Sequence, residues 1–171
     1  DERSIGDKIR DLQNRQQNLT LRLYELNKPT IAALPGVAAG AGMSIALACD
    51  LRIGASSAYF VSGFSNIGLS GDYGGSWHLA QLIGPAKAKE LYFTSRRVHS
   101  EEALRLGLFN EVVADNILHS HTQSFARKIA SGPPQAILYM KQNINRAITE
   151  GFRTCLDWEA DRLVRAAQTE D

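Results

Sequence analysis

The stretch from Lys28 to Leu51 limits the possible folds of this chain more than any other part of it. Its first half contains the short apolar run Thr-Ile-Ala-Ala-Leu at positions 30–34, and Pro35-Gly36 then interrupts that run. Short apolar runs that end at a proline and a glycine are typical of buried strands. We therefore predict a buried strand over residues 30–34.

The second half of the stretch predicts a buried helix from Gly40 to Cys49. Its residues are small, apolar and mostly good helix formers, and Ser44 is its main polar side chain. A first turn of Gly40, Ala41 and Gly42 leaves backbone N–H groups without intrahelical partners, and these side chains are too small to keep a ligand away. The helix start is therefore suited to binding an oxyanion.

Composition excludes several classes of protein. The chain has 171 residues, of which 44% are hydrophobic, enough for a real core and one domain. Its 19 basic and 18 acidic residues are interspersed and give a net charge of +1, so nothing favours nucleic acid or an anionic membrane as partner. We see no signal peptide and no bilayer-length apolar run. The cysteines, Cys49 and Cys155, fit a reducing compartment. We expect a soluble, cytoplasmic protein.

The rest of the chain predicts an α/β core followed by helices. Apolar residues recur every three to four positions from Ser4 to Leu26 and predict an amphipathic scaffold helix that packs on a sheet. The other predicted elements are a strand over 51–55, a strand and an irregular loop within 58–67, a glycine-rich loop over 68–75, helices over 76–83 and 86–93, a helix opening at Ser100, a strand over 108–113, and helices over 116–130, 134–150 and 152–168.

Asp72 is the carboxylate best placed for chemistry. It lies in the glycine-rich loop just before a predicted helix, and four aromatic residues are close in sequence: Phe60, Phe64, Tyr73 and Trp77. Desolvation would raise its pKa toward that of a useful base, whereas the helix start would lower it. An N-cap aspartate is equally consistent with this position. The residues alone leave the base and the N-cap open.

Other polar residues favour structural roles. Ser44 has no nearby His and Asp in a recognisable arrangement, so we expect its hydroxyl to bond a backbone carbonyl or water rather than act as a nucleophile. Asp50 is more plausible as a structural hydrogen-bond acceptor than as a catalyst. For His78 a catalytic role is the minor alternative. No set of His, Cys and carboxylate residues has metal spacing, so no metal is expected.

Several segments resemble the enoyl-CoA hydratase/isomerase (crotonase) family in the same order. They are KPTIAALPGVAAGAGMSIALACDL, IGLSGDYGGSWHLAQLIGPAKAKEL, TSRRVHSEEALRLGLFNEVV and SGPPQAILYMKQNINRAI, so the resemblance extends from Lys28 to the end. It implies an acyl-CoA substrate, with coenzyme A as part of that substrate and no separate cofactor. It also implies that the Ala41 N–H is one of two oxyanion donors to the thioester oxygen.

The same resemblance implies a crotonase-type spiral of strand-strand-helix turns with an α-helical C-terminal trimerisation region. Residues 1–115 would form the C-terminal part of the spiral core, and residues 116–171 the helical oligomerisation region. A homotrimer or a dimer of trimers is therefore expected. The N-terminal part that carries the first oxyanion donor in the family has no match here, so we expect the sequence to be truncated at its N-terminus.

Both glutamates that hydratases of the family use are replaced, by Ser44 and by Phe64. Relatives that shift double bonds, isomerise rings or displace halide place an aspartate at the position of Asp72. Isomerisation needs a single carboxylate, because that group can remove a proton and return it elsewhere while the oxyanion hole stabilises the enolate. We therefore expect an isomerase in which Asp72 is the base.

The expected substrate pocket comprises Gly40, Ser44, Phe64, Tyr73 and Trp77. Its aromatic members hint at a broad or aromatic acyl group, although aromatic residues at this spacing also occur in cores. Three alternatives stay open: a hydratase or hydrolase whose carboxylate comes from the absent N-terminal part, a dehalogenase-type enzyme with Asp72 as nucleophile, and a non-catalytic acyl-CoA-binding or assembly subunit.

Overall fold

The computed structural model describes residues 3–169, and within them the chain forms two compact units. The first unit comprises residues 3–26 and 30–122, and the second comprises residues 27–29 and 123–169. The second boundary falls inside a helix, Leu118–Ala130.

The predicted division at residue 115, and the oligomerisation role of residues 116–171, stay predictions. Residues 1–2 and 170–171 of the predicted ranges lie outside the described part of the chain.

The elements follow one another in nearly the predicted order. Their bounds are α1 Ile5–Gln16, a π-helical turn Gln17–Leu21, α2 Arg22–Glu25, β1 Ile31–Leu34, β2 Val37–Ala39, α3 Ala41–Ala48, β3 Leu51–Ala55, β4 Tyr59–Val61, a 3-10 turn Ser65–Ile67, α4 Gly75–Ile83, α5 Pro85–Thr94, β5 Val98–His99, α6 Ser100–Arg105, β6 Glu111–Val113, a 3-10 turn Asp115–Ile117, α7 Leu118–Ala130, α8 Pro134–Ala147 and α9 Phe152–Ala166.

Strand-strand-helix turns build the first unit. The order β1, β2, α3 is followed by β3, β4, α4, and each strand of the second turn pairs in parallel with its counterpart in the first. Among the described residues this gives two three-stranded sheets, one ordered β1-β3-β6 and the other β2-β4-β5. Pro35-Gly36 lies between β1 and β2, so the predicted break is the place where the chain leaves one sheet and enters the other.

Two short strands were not predicted from the sequence. β2 has three residues, of which only Ala38 is buried, and β5 has two. Strands this short hold too few residues to show an alternating pattern, and their partners are distant in sequence. The strand predicted over 108–113 is shorter in the structure, where β6 comprises only Glu111–Val113. Leu108 and Phe109 are buried in the core but precede the strand.

The N-terminal helix forms as predicted, but its predicted packing on a sheet is wrong. Ser4 and Asp7 form a capping box that starts α1. No residue of α1 is buried, and the helix packs mainly through its π-helical turn against α3. Thr20 in that turn is buried, and its hydroxyl donates to the Gln16 carbonyl at 3.2 Å.

Hydrogen bonds at the end of α3 join it to β1 and β3. Asp50 accepts from the Thr30 N–H at 2.7 Å and from the Thr30 hydroxyl at 2.9 Å, which confirms the structural role predicted for it. The Arg52 guanidinium, buried on β3, donates to the carbonyls of Leu108 and Cys49, each at 2.7 Å. These bonds tie the C-terminal end of α3 to the beginnings of β1 and β3.

The second unit is a helical hairpin of α8 and α9 with the end of α7. Trp158 of α9 has the guanidinium of Arg146 at 3.7 Å from its ring centre and that of Arg162 at 5.1 Å. Within this unit, several large apolar side chains of α8 and α9 are exposed: Met140, Ile144, Phe152, Leu156, Leu163 and Val164.

Candidate active site around Asp72

The start of helix α3 forms one side of the candidate site. Gly40, with φ 50°, precedes the helix, and its N–H donates to the Val61 carbonyl of β4 at 3.1 Å. The first backbone bond of the helix runs from the Ser44 N–H to the Gly40 carbonyl, at 3.1 Å. Helical geometry therefore leaves the Ala41 N–H without an intrahelical acceptor, as the sequence predicts for an anion-binding helix start.

The start of helix α4 packs against α3 at Gly75. A Cβ atom on Gly75 would lie 2.2 Å from the Ser44 hydroxyl oxygen and 2.7 Å from the Tyr92 hydroxyl oxygen. At distances under 3.0 Å, any side chain here would force Ser44 or Tyr92 to move, so close approach favours glycine at this position. The two helix starts and the hydroxyl groups of Ser44 and Tyr92 thus meet at one place.

Asp72 precedes α4 but does not cap it. Gly74, with φ 75°, is the N-cap residue, and no side chain bonds the first turn; only the Asp72 backbone carbonyl accepts from the Gly75 N–H. The N-cap alternative is therefore wrong. The Asp72 Oδ1 atom is buried and has no hydrogen-bond partner within residues 3–169. Burial raises the pKa of this carboxyl, which is the direction a proton-transferring base needs.

Tyr92 of α5 is a site residue that the sequence analysis missed. Its hydroxyl oxygen is buried and has no partner of hydrogen-bond geometry in the described chain. Burial raises the Tyr92 pKa and the charge of Asp72 raises it further, whereas the neighbouring Ser44 hydroxyl lowers it by a smaller amount. On the same helix, Ala88 and Leu91 are buried. The sequence could have indicated this, because Tyr92 shares a helix face with apolar residues and a buried phenol needs a polar partner.

Three of the predicted pocket residues come together around Tyr92. Ser44 is fully buried, and its hydroxyl donates to the Gly40 carbonyl at 3.3 Å, the kind of bond the sequence analysis expected. The Phe64 ring stacks on the Tyr92 ring, with ring centres 5.9 Å apart. A Cβ atom on Gly40 would lie 3.7 Å from the Phe64 ring, so this ring lies beside the start of α3.

The two other predicted pocket residues lie toward the N-terminal helix. The Tyr73 N–H donates to the Gln16 side-chain oxygen at 2.6 Å, and its φ of 49° is unusual for a residue with a side chain. Trp77 packs edge-on against Tyr24, with ring centres 5.6 Å apart. Neither Gln16 nor Tyr24 was singled out from the sequence, because both lie far from the loop along the chain.

A pocket of about 380 Å³ opens beside these residues, between the N-terminal helix and α4. Its lining residues are Gln13, Gln16, Gln17, Thr20, Leu21, Tyr24, Gly74, Trp77 and His78. Burial lowers the His78 pKa to about 4, with a smaller contribution from the charge of Arg52. His78 is therefore neutral at physiological pH.

Within residues 3–169, no group of three or more His, Cys, Asp or Glu residues is arranged so that it could hold a metal ion. No helix in this part of the chain combines the length and the apolar character needed to cross a bilayer.

The chain is similar to known acyl-CoA enzymes. A short-chain-enoyl-CoA hydratase of Clostridium acetobutylicum is 39% identical over 150 residues, which are 88% of this chain and 58% of that protein. A 1,2-epoxyphenylacetyl-CoA isomerase of Escherichia coli is 40% identical over 153 residues, 90% of this chain and 58% of that protein. This chain therefore spans less than two thirds of the length of these relatives.

A solved structure and a family pattern agree with these relatives. The crystal structure of an enoyl-CoA hydratase from Polaromonas sp. JS666 has a TM-score of 0.91 and 34% identity, covering 96% of this chain and 64% of that one. This match confirms the predicted crotonase-type α/β fold with C-terminal helices. The pattern described as Enoyl-CoA hydratase/isomerase matches residues 3–171. The chain belongs to the enoyl-CoA hydratase/isomerase family.

Proposed function

We propose that the protein containing this chain is an acyl-CoA enzyme that isomerises a double bond or a ring through a thioester enolate. The observation that carries the proposal is the buried, unpartnered Oδ1 of Asp72 in the loop just before α4, whose Gly75 packs on Ser44 of α3. Asp72 is the base, the Ala41 N–H is one oxyanion donor, and coenzyme A is part of the substrate.

The chemistry needs one proton-transferring group and one place for negative charge. The Asp72 carboxylate takes a proton from the carbon α or γ to the thioester, and the electrons of that C–H bond move into the enolate. The Ala41 N–H stabilises the enolate oxygen at the helix start. Asp72 then returns the proton to a different carbon, so the substrate is isomerised with no gain or loss of atoms. Burial of Asp72 supports this role because a raised pKa makes it a stronger base.

Two residues favour isomerisation over hydration. Ser44 and Phe64 are at the positions that the family resemblance assigns to the hydratase glutamates. The Ser44 hydroxyl is fully buried and bonds the Gly40 carbonyl, and the Phe64 ring stacks on Tyr92. Neither group can take a proton from water in the way a carboxylate can. A hydratase would need its second carboxylate from another part of the protein, and a non-catalytic subunit would bind acyl-CoA without converting it.

Product analysis separates these functions. Full-length protein is incubated with 2-enoyl, 3-enoyl and ring-containing acyl-CoA thioesters, and the products are identified by mass spectrometry. We expect a product with the same mass as its substrate, which the Asp72→Asn variant no longer forms. A product heavier by one water, formed equally by the variant, would contradict the isomerase. Binding of thioesters without any product would favour the non-catalytic subunit.

We also propose that the protein is a homotrimer or a dimer of trimers. Support comes from the large apolar side chains that α8 and α9 leave exposed, among them Leu163, which is 72% exposed, and Phe152, which is 79% exposed. Exposed apolar residues concentrated on neighbouring helices are typical of surfaces that another subunit covers.

A further inference from the structure

We infer that Tyr92 is a positioning residue for Asp72, whose inner carboxylate oxygen it holds by a hydrogen bond when the site is occupied. The inference rests on the proposed function of Asp72 as base. Tyr92 is not one of the predicted site residues. It is also at neither of the two positions, Ser44 and Phe64, where hydratases of the family have glutamates.

The backbone around Asp72 is shaped to admit the Tyr92 ring. Gly71 and Gly75 lie on either side of Asp72 along the chain. A Cβ atom on Gly71 would lie 2.9 Å from the Tyr92 ring and 3.5 Å from its hydroxyl oxygen, and one on Gly75 would lie 2.7 Å from that oxygen. Gly71 also has φ 111°, a conformation that favours glycine. The hydroxyl is therefore held against the loop that carries Asp72.

The polar atoms of the two side chains complement each other. Asp72 Oδ1 can only accept a hydrogen bond when the carboxyl is ionised, and the Tyr92 hydroxyl can donate one. Both atoms are buried, and neither has a hydrogen-bond partner among residues 3–169. Leaving two such atoms unpaired is costly, and a bond between them satisfies both. It also leaves Oδ2 of Asp72 for the substrate.

Few other titratable groups face this pair. Helix α3 contributes Ser44, which carries no charge, and the 3-10 turn Ser65–Ile67 has no titratable side chain. The titratable residue of α4 is His78, whose ring packs near Tyr24 and Trp77. On α5 itself, Glu90 is paired with Lys87 and with Arg96, and Lys89 is exposed. Asp72 is thus the charged group that acts on Tyr92, and its charge raises the Tyr92 pKa in addition to burial.

The test compares Tyr92→Phe with Tyr59→Phe in the full-length protein. Tyr59 lies on β4 and packs against His99, so its substitution removes a hydroxyl from the same unit away from Asp72. The Asp72 carboxyl is titrated by carbon-13 NMR with the site occupied by a saturated acyl-CoA thioester, which has no double bond to move, and Asp72→Asn assigns the signal. We expect Tyr92→Phe to raise the Asp72 pKa by about one unit, since a hydrogen bond to the ionised form is lost. Tyr59→Phe should leave it unchanged.

Kinetics give a second readout. With a thioester that the wild type converts, Tyr92→Phe should lower kcat roughly tenfold with little change in KM, because the base is less well oriented. An unchanged Asp72 pKa in Tyr92→Phe would overturn the inference, even if the variant were less stable. The titration needs no turnover. Absence of conversion by the wild type would therefore count against the proposed function, while the titration would still decide the role of Tyr92.

Discussion

At the scale of single residues, the Asp72 carboxylate destabilises the folded protein but is suited to act as a base. Folding buries one oxygen of its carboxylate without a hydrogen-bond partner among the described residues, and burial raises its pKa. An ionised group in such surroundings destabilises the folded state. Sites of this kind persist where function needs them, at the expense of stability.

Replacing Asp72 by Asn should therefore stabilise the protein at neutral pH. The folded-state pKa is raised above the ordinary value of 3.8. As pH rises through this range the unfolded state loses its proton first, so the wild type loses stability. The gain from Asp72→Asn should be complete above the folded-state pKa and should vanish below about 3.8. Urea denaturation at a series of pH values measures it.

The control for this prediction is Asp157→Asn, which changes an exposed aspartate of α9. Its free energy of unfolding at neutral pH should stay close to that of the wild type. A loss of stability in Asp72→Asn at neutral pH would mean that the ionised carboxylate has partners in the protein that compensate its burial.

At the scale of elements, the packing of α3 on α4 depends on a glycine. Gly42 and Gly75 both lie in the first turn of a helix, but a Cβ atom on Gly42 would meet nothing within 4 Å, whereas one on Gly75 would overlap the Ser44 and Tyr92 hydroxyls. The two positions form a matched pair. They separate the effect of crowding between helices from the effect of glycine on helix propensity.

Gly75→Ala should lower the free energy of unfolding by about 1–3 kcal/mol, the usual cost of overpacking. Gly42→Ala should be neutral or stabilising by up to about 1 kcal/mol, because alanine favours helices. The double variant Gly75→Ala/Ser44→Ala should recover part of the loss, since it removes the hydroxyl that lies nearest. Equal stability of the two single variants would contradict the close packing of α3 on α4.

Local signals in the sequence predicted most helices and the strands with distinct apolar runs. They also placed Ala41 at a helix start and put Asp72 in a loop before a helix. The strands β2 and β5 could not be predicted, because their pairing partners, not their own residues, make them strands. Tyr92, Gln16 and Tyr24 were missed for a related reason. Only the folded chain brings them to the glycine-rich loop.

At the scale of the whole molecule, the described chain contains two units that differ in character. The first holds the sheets and Asp72, and the second is a pair of packed helices with exposed apolar side chains. The chain spans 58% of each of two curated relatives. Activity and assembly should therefore be measured on the full-length protein.

The exposed apolar residues of the second unit predict a subunit interface, and a single charged substitution among them should weaken the assembly. Leu163→Glu should shift the protein toward monomers in size-exclusion chromatography with light scattering, because the charge would have to be buried in the interface. Thr154→Glu, which changes an exposed polar residue of the same helix, should leave the assembly intact. A wild type that is monomeric at all concentrations would contradict the proposed homotrimer.

The most direct test of the central claim is hydrogen exchange into acyl-CoA thioesters in heavy water, followed by mass spectrometry. Full-length wild type is compared with Asp72→Asn on thioesters that both proteins bind. Since Asp72 is proposed to remove and return a proton, we expect the wild type to incorporate deuterium and the variant to lose this activity by at least about a hundredfold. Incorporation at the same rate by both proteins would show that Asp72 is not the base.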